Sequence, residues 1–118
     1  MAGITCKSLD SPDETRTPPR TTVEVVRLGE TTVARFTFQP GWRWSEDIKP
    51  VVGTPTCQTR HVGVVHSGTL HTVHDDGTEA ELRAGDAYLI EPGHDGWVVG
   101  HEPLVVLEFE SADTFAKV

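Results

Sequence analysis

Residues 85–93 read Gly-Asp-Ala-Tyr-Leu-Ile-Glu-Pro-Gly, and this short segment says most about the architecture. Gly85-Asp86 and Pro92-Gly93 are turn-forming pairs, because glycine adopts positive φ angles and proline holds φ near the value that turns require. Between them, Ala87–Ile90 is an apolar run with the length of a short strand. The segment therefore predicts a strand bounded by two tight turns, which is typical of antiparallel β proteins.

The same alternation of short strands and turns extends along the chain on both sides of this segment. Ser67-Gly68 and Asp76-Gly77 are hairpin signals, and only Ala112–Lys117 is expected to form a helical turn. The predicted strands, rich in β-branched and aromatic residues, are Thr22–Leu28, Thr31–Phe38, Arg60–His66, Thr69–His74, Glu79–Arg83, Ala87–Ile90, Gly96–Val99 and Leu104–Glu110. Short strands at such regular spacing predict an all-β fold, either a closed barrel or two packed sheets.

Two segments interrupt this pattern. Residues 1–21 contain almost no apolar side chains, so we expect a flexible N-terminal tail before a single domain at 22–118. An arm docked loosely on a partner subunit is the alternative. Gln39–Gln58 reads as a long loop that holds Trp42 and Trp44, and long structured loops often carry function. Equally, the two tryptophans are expected to close one end of the barrel as core residues.

Composition restricts the class of function. The 118 residues include 10 basic and 18 acidic side chains, and a formal net charge of −8 argues against nucleic acid or an anionic membrane as partner. We find neither an apolar run long enough to span a membrane nor a secretory signal, so a cytoplasmic location is expected. The two cysteines, Cys6 and Cys57, do not form a disulfide framework.

Strand parity places several metal-ligating side chains together. If the chain is extended from Cys57 to His66, then Cys57 and His61 share one face. A two-residue hairpin at Ser67-Gly68 would place His74 opposite His61 on the same interior face. Thiolate and imidazole ligands suit Zn²⁺ or Fe²⁺, so this face is a candidate metal site. The alternative is a buried free cysteine beside a hydrogen-bonded core histidine.

The order of these segments resembles the cupin superfamily. Residues 85–93 are similar to its second conserved motif, and residues 61–68 look like the strand and glycine turn that end its first motif. The resemblance covers Thr31 to Phe109 and implies a small jelly-roll β-barrel, commonly a homodimer, with a ligand or metal pocket inside. The chain also resembles small single-domain bacterial cupins of uncharacterised function, through the shared residues Trp42, Trp44, Lys49-Pro50, Cys57, His61, Pro92, Gly93, His94, Asp95 and Trp97.

The usual ligands of the resembled motifs are replaced in this chain. The glutamate position of the first motif holds His61, and its two histidine positions hold Pro55 and Cys57. The histidine position of the second motif holds Gly96. His94, two residues earlier, is a candidate to supply the lost donor, although His94 and Asp95 are also residue types that rigidify surface turns.

From these residues we expect a small-molecule-binding protein with a Cys/His cluster inside the barrel. The candidate metal ligands are Cys57, His61 and His94, with His74 in reserve, and the metal would be zinc or iron. The candidate pocket residues are Trp42, Trp44, Lys49, Tyr88, Asp95 and Trp97. A metal-dependent isomerase, lyase or oxygenase and a metal-free, non-catalytic binding or sensing protein both remain open. Lys49 is expected to favour the Cys57 thiolate.

Overall fold

The computed structural model describes residues 3–117 and consists mostly of short antiparallel strands. The strands are β1 (Glu14–Arg16), β2 (Thr21–Leu28), β3 (Thr31–Phe38), β4 (His61–Ser67), β5 (Thr69–His74), β6 (Glu79–Arg83), β7 (Ala87–Ile90), β8 (His94–Val98) and β9 (Leu104–Phe109). The helices are α1 (Trp44–Asp47), α2 (Lys49–Val52) and a 3-10 turn at Ser111–Asp113. The prediction of an all-β jelly roll is therefore confirmed. No helix within residues 3–117 is long and apolar enough to cross a membrane.

The strands form two antiparallel sheets. One sheet has six strands in the order β1-β2-β3-β9-β4-β7, and the other has three in the order β6-β5-β8. Side chains alternate between buried and partly exposed along β2, β3, β4, β8 and β9, so each of these strands has one inner and one outer face. The inner faces enclose a core that includes Val25, Phe36, Leu104 and Val106, with Val98 contributed by the smaller sheet.

The predicted hairpin at Ser67-Gly68 is wrong. β4 pairs with β7 and β9, whereas β5 pairs with β6 and β8, so the chain crosses from one sheet to the other at this turn. Gly68 has a φ of +82°, and a Cβ there would lie 2.4 Å from the Pro103 carbonyl oxygen. Close packing on this backbone turns the chain away from β4, and a short turn alone does not determine which strands pair.

The loop predicted at 39–58 contains α1 and α2. Pro50 lies in the first turn of α2, where a missing N–H does no harm, and Gly53 ends that helix with a φ of +78°. Trp42 and Trp44 are both buried in the core. The expectation that the two tryptophans pack inside the fold therefore agrees with the structure.

Part of the segment predicted to be a flexible tail is ordered against the domain. Residues 14–16 form β1 on the edge of β2, and Arg16 donates hydrogen bonds to the backbone carbonyls of Ala112 and Phe115. Main-chain pairing and ion pairs, rather than the packing of apolar side chains, hold this segment against the domain. The domain division at residues 21 and 22 stays a prediction, and residues 1, 2 and 118 lie outside the described range.

The C-terminal residues fold over one end of the barrel, where the sequence predicted a helical turn. The 3-10 turn at Ser111–Asp113 leads to Phe115, whose ring is buried against Phe36 and His61. On the outer surface, Leu89 and Phe109 are the large apolar side chains of the sheets that stay exposed among residues 3–117. The homodimer stays a prediction.

Candidate metal centre

Three metal-ligating side chains meet inside the barrel: Cys57, His61 and His94. All three residues are buried, and one ligand atom of each lies within 4.8 Å of those of the other two. His61 begins β4 and His94 begins β8, so the two imidazoles enter from different sheets. Cys57 precedes β4 and is joined to β8 by the hydrogen bond from its N–H to the His94 carbonyl oxygen, at 2.8 Å.

Cys57 and His61 interact directly, with 3.6 Å between Sγ and Nε2. Burial raises the pKa of the Cys57 thiol, but hydrogen bonding to His61 and then to His94 outweighs burial and lowers this pKa to about 6. The thiolate is the form of cysteine that binds metals. The two imidazoles therefore favour the Cys57 thiolate. The sequence analysis assigned this role to Lys49, whose side chain is instead exposed on α2.

A buried carboxylate supports His61 from behind. Glu108, 4% exposed, accepts hydrogen bonds from His61 Nδ1 at 2.6 Å and from the Tyr88 hydroxyl at 2.6 Å, and Ser111 donates a third. Burial lowers the pKa of His61, but the charge of Glu108 and the hydrogen bonds to Cys57 and Glu108 together outweigh burial and raise it to about 10. Burial also raises the pKa of Glu108, yet the charge of His61 and the hydrogen bonds from His61, Ser111 and Tyr88 together leave that pKa below its ordinary value. Without a metal, a thiolate, an imidazolium and a carboxylate thus lie in a row with alternating charges.

His94 is oriented by a backbone group. Its Nδ1 lies 2.7 Å from the Glu91 carbonyl oxygen, which accepts hydrogen bonds only, so Nδ1 carries the proton. The Pro92-Gly93 turn makes this contact, and Gly93 adopts a φ of +100° there. With Nδ1 protonated, the Nε2 lone pair is left for a ligand.

These residues fit a transition metal on chemical grounds. One thiolate and two imidazoles are a donor set that Zn²⁺ and Fe²⁺ accept, and the cluster is buried. In protein metal sites, a ligating imidazole usually donates its other N–H to a carboxylate or a carbonyl. Glu108 does this for His61 and Glu91 O does it for His94. The three residues therefore could hold a metal ion, with Nε2 of each histidine as ligand.

A small cavity of about 40 Å³ adjoins His61 and His94. Among the predicted pocket residues, Trp42, Trp44 and Tyr88 line it. The remaining walls are mostly apolar: Phe38, Leu70, Ile90, Val106 and Phe115, with Thr72, Gly96 and Glu108. A wider, more open cavity of about 280 Å³ reaches Cys57 from the side of the C-terminal residues.

The structure places the other predicted site residues elsewhere. His74 is paired with His94 in register, but its Nε2 is bonded to the Pro92 carbonyl oxygen and its side chain is one quarter exposed. Asp95 and Trp97 alternate with His94 and Gly96 along β8 and therefore point to the outer face. There Asp95 accepts a hydrogen bond from the Ser45 N–H, and Trp97 stacks on His71.

Glu108 is the functional residue that sequence reasoning missed. Leu104, Val106 and Glu108 share one parity in β9, and the first two are core residues. The signal in the sequence was a glutamate at an inward-facing position of an otherwise apolar strand. A carboxylate buried there needs hydrogen-bonding partners, so it indicates a polar site inside the fold. Gly63 on β4 makes room for it, since a Cβ there would lie 2.8 Å from Glu108 Cγ and 3.0 Å from the Tyr88 hydroxyl.

Position 94, and not position 96, carries the imidazole on the inner face of β8. The two positions are two residues apart and so lie on the same face of the strand. His94 occupies the first residue of β8, where the sequence analysis expected a turn, and Gly96 lines the cavity instead. The shift moves the imidazole along the strand to the end where Cys57 is bonded.

No protein-family model matches the chain, and no curated protein is similar to it at a significant level. Solved structures do resemble it. A Rhizobium leguminosarum protein of unknown function is 17% identical, with a TM-score of 0.63 over 92% of this chain and 96% of that one. The cupin domain of Schizosaccharomyces pombe Cnp3 is 10% identical, with a TM-score of 0.60 over 86% of this chain and 69% of that one.

Fe(II) HppE is also similar, at 10% identity and a TM-score of 0.64, over 91% of this chain and 60% of that one. At such identities, the likeness concerns the path of the backbone and carries no ligand or activity with it. The overall fold is therefore what these proteins share with this chain.

Proposed function

The chain has the fold of the cupin superfamily, and we propose that it is a metal-dependent member in which Cys57, His61 and His94 hold zinc or iron(II). One observation carries the proposal: three buried donors converge within 4.8 Å, and both imidazoles have Nδ1 bonded to an acceptor. A site with three protein ligands has a position open to a small molecule.

A bound ion would supply Lewis acidity toward an oxygen of a small organic substrate, in a reaction of isomerase, lyase or oxygenase type. The residues of the chain prepare the site for it. Glu108 holds the proton on His61 Nδ1 and so fixes the tautomer that presents Nε2. Burial, with the charge of Glu108, raises the pKa of Tyr88, so its hydroxyl stays protonated and donates to Glu108. Phe115 and Trp44 are buried and give the small cavity an apolar wall.

A metal-free binding or sensing protein is the second candidate. The contact between Cys57 Sγ and His61 Nε2 favours it, because the thiolate and the imidazolium satisfy each other without an ion. Metal analysis separates the two candidates.

The test is elemental analysis of protein purified without a histidine tag or chelator, compared with two histidine variants. We expect about one equivalent of zinc or iron in the unmodified chain and under about a tenth in His94→Ala. His74→Ala is the matched control, since His74 is the register partner of His94 but lies outside the cluster, and it should retain the metal.

Cysteine variants provide a second pair. Cys57→Ser should lose the metal, whereas Cys6→Ser, at an exposed thiol, should keep it. Less than about a tenth of an equivalent in the unmodified chain, even after anaerobic incubation with Zn²⁺ or Fe²⁺, would overturn the proposal and favour the metal-free candidate.

A further inference from the structure

Two cavities reach the Cys/His cluster from two sides. The small cavity of about 40 Å³ is lined by His61 and His94, whereas the wider cavity of about 280 Å³ is lined by Cys57. Trp44 and Phe115 line both cavities and therefore separate them. The path from the wider cavity to the two imidazoles is thus blocked by these two rings.

Trp44 belongs to a part of the fold that several hydrogen bonds hold in place. It begins α1, and the N–H of the next residue, Ser45, donates to Asp95 of β8 at 3.2 Å. The last residue of α1, Asp47, is buried and accepts a hydrogen bond from Arg20 at 2.8 Å. The Trp44 ring is therefore fixed on the barrel.

Phe115 lies in a segment that is attached less firmly. It belongs to residues 111–117, which pair with no strand of the described chain. The Phe115 ring is 2% exposed, and its centroid lies 5.0 Å from that of Phe36 and 5.4 Å from that of His61. Its N–H donates within the segment, to the Ser111 carbonyl oxygen. Segments with few bonds to the rest of a fold open most easily.

Backbone strain occurs at both ends of this segment. Glu110 has a φ of +71° and Ala116 a φ of +56°, values that residues other than glycine adopt at a cost. Glu110 is also anchored to β3, because its N–H donates to the Thr32 carbonyl oxygen and its Oε1 accepts from the Thr32 N–H. Strain of this kind concentrates in clamps and switch regions. Glu110 therefore has the position of a hinge.

One side chain of β1 fastens the segment to the barrel. Arg16 donates hydrogen bonds to the carbonyl oxygens of Ala112 at 2.6 Å and Phe115 at 2.9 Å. The Arg16 side chain is only 12% exposed, and hydrogen bonds from a charged donor are stronger than those between neutral groups. Farther along, the Thr114 hydroxyl contacts the Thr59 hydroxyl at 3.2 Å. Arg16 thus holds the part of the segment that carries Phe115.

The small cavity has another wall, but that wall belongs to the sheets. Thr72, Tyr88 and Ile90 separate it from an open cavity of about 290 Å³. All three lie in strands that are paired with neighbouring strands, and the Tyr88 hydroxyl is bonded to Glu108. Opening on this side would require breaking the main-chain pairing of β5 or β7, whereas the segment at 111–117 has no such pairing to lose.

We propose that residues 111–117 form a lid over the Cys/His cluster, hinged at Glu110 and held shut by Arg16. Displacement of Phe115 joins the two cavities and gives a molecule from solution access to the cluster. The proposal concerns access and goes beyond the proposed function, because it applies equally to the metal-free chain.

The experiment measures how fast Cys57 of the metal-free chain reacts with 4,4′-dithiodipyridine. The thiolate attacks one sulfur of this disulfide, forms a mixed disulfide and releases pyridinethione, whose absorption is followed. Every variant carries Cys6→Ser, so Cys57 is the one cysteine left in the chain. Because Cys57 is 2% exposed, the rate of reaction reports the population of the open form.

Arg16→Gln tests the fastening, and Arg27→Gln is the matched control, because both arginines are bonded to Glu14. Loss of the hydrogen bonds from the charged donor should raise the rate at least about tenfold in Arg16→Gln. Arg27→Gln should change it less than about twofold. Equal rates in the two variants would overturn the proposal.

Urea separates opening of the lid from unfolding of the barrel, and this measurement needs no variant other than Cys6→Ser. Opening of a short segment exposes little surface, so the rate should be nearly constant at low urea. A rate that rises with urea as steeply as global unfolding would show that Cys57 is reached only through the unfolded chain. That result would overturn the lid and would leave the proposed metal site unaffected.

Discussion

His94 and Gly96 point inward from β8, whereas Asp95 and Trp97 point outward from the same strand. Inside, His94 is buried beside Cys57 and His61. Outside, the Trp97 ring stacks on His71 at 4.7 Å between centroids, and the Arg43 guanidinium lies 4.2 Å above it. Both faces carry imidazoles with acidic partners, yet only the inner face is buried. Burial therefore separates a group of candidate metal ligands from a solvated stack of surface side chains.

The buried pair His61–Glu108 and the outer pair His71–Glu79 give the largest expected difference in stability between the two faces. Glu108→Leu would leave His61 Nδ1 and the hydroxyls of Tyr88 and Ser111 without their acceptor. We expect the free energy of unfolding to fall by about 3–5 kcal/mol, as for other buried pairs that lose one partner. Urea denaturation of the metal-free protein measures this.

Glu79→Leu is the matched variant for the outer pair, because Glu79 is bonded to His71 and is exposed. Its loss should change stability by less than about 1 kcal/mol. Similar losses in the two variants would mean that burial does not distinguish the faces.

Gly96→Ala sharpens the comparison on the inner face. A Cβ at this position would lie 3.4 Å from Leu70 Cδ1 and 3.2 Å from the His71 carbonyl oxygen, at the wall of the small cavity. We expect a stability change of about 1 kcal/mol or less, since relief from glycine in a strand offsets the closer packing. The metal content should stay unchanged, because Gly96 lies outside the cluster of Cys57, His61 and His94. A loss of several kcal/mol would mean that the cavity wall does not accommodate the methyl group.

A partly exposed ion pair on β1 tests how much charge pairing contributes to stability where burial is incomplete. Hydrogen bonds from Arg16 and Arg27 lower the pKa of the Glu14 carboxyl on β1 from its ordinary 4.5 to about 2. A lowered pKa stabilises the fold above the ordinary value, and this contribution disappears as the pH falls through 4.5 toward 2.

Because the Glu14 side chain is 30% exposed, solvent screens the pair and the effect should stay below about 1 kcal/mol. The measurement is the difference in unfolding free energy between the unmodified chain and Glu14→Gln. It should be constant from about pH 7 to 5 and shrink below that. A difference that grows as the solution becomes more acidic would contradict the assignment.

Local patterns predicted most of the strands and much of the candidate site. The strands at 31–38, 69–74, 79–83 and 87–90 have the predicted bounds, because turn pairs such as Asp76-Gly77 mark their ends. Cys57, His61 and His94 were all candidates from residue type and position. His74 was included only because the wrong hairpin placed it opposite His61, and Glu108 was missed because its partners are distant in sequence.

Strand parity, turn positions and the types of metal-ligating side chain are properties of neighbouring residues, and the amino-acid sequence alone determined them. Which strands pair, and therefore which histidine meets Cys57, depends on contacts between residues far apart in the chain. Only the tertiary structure decided that His94 is bonded to Cys57 through the backbone, that Glu108 supports His61, and that Trp97 lies outside. The physical reason is that burial and strand pairing depend on the whole packed core. Local sequence determines only which side chains of a strand share a face.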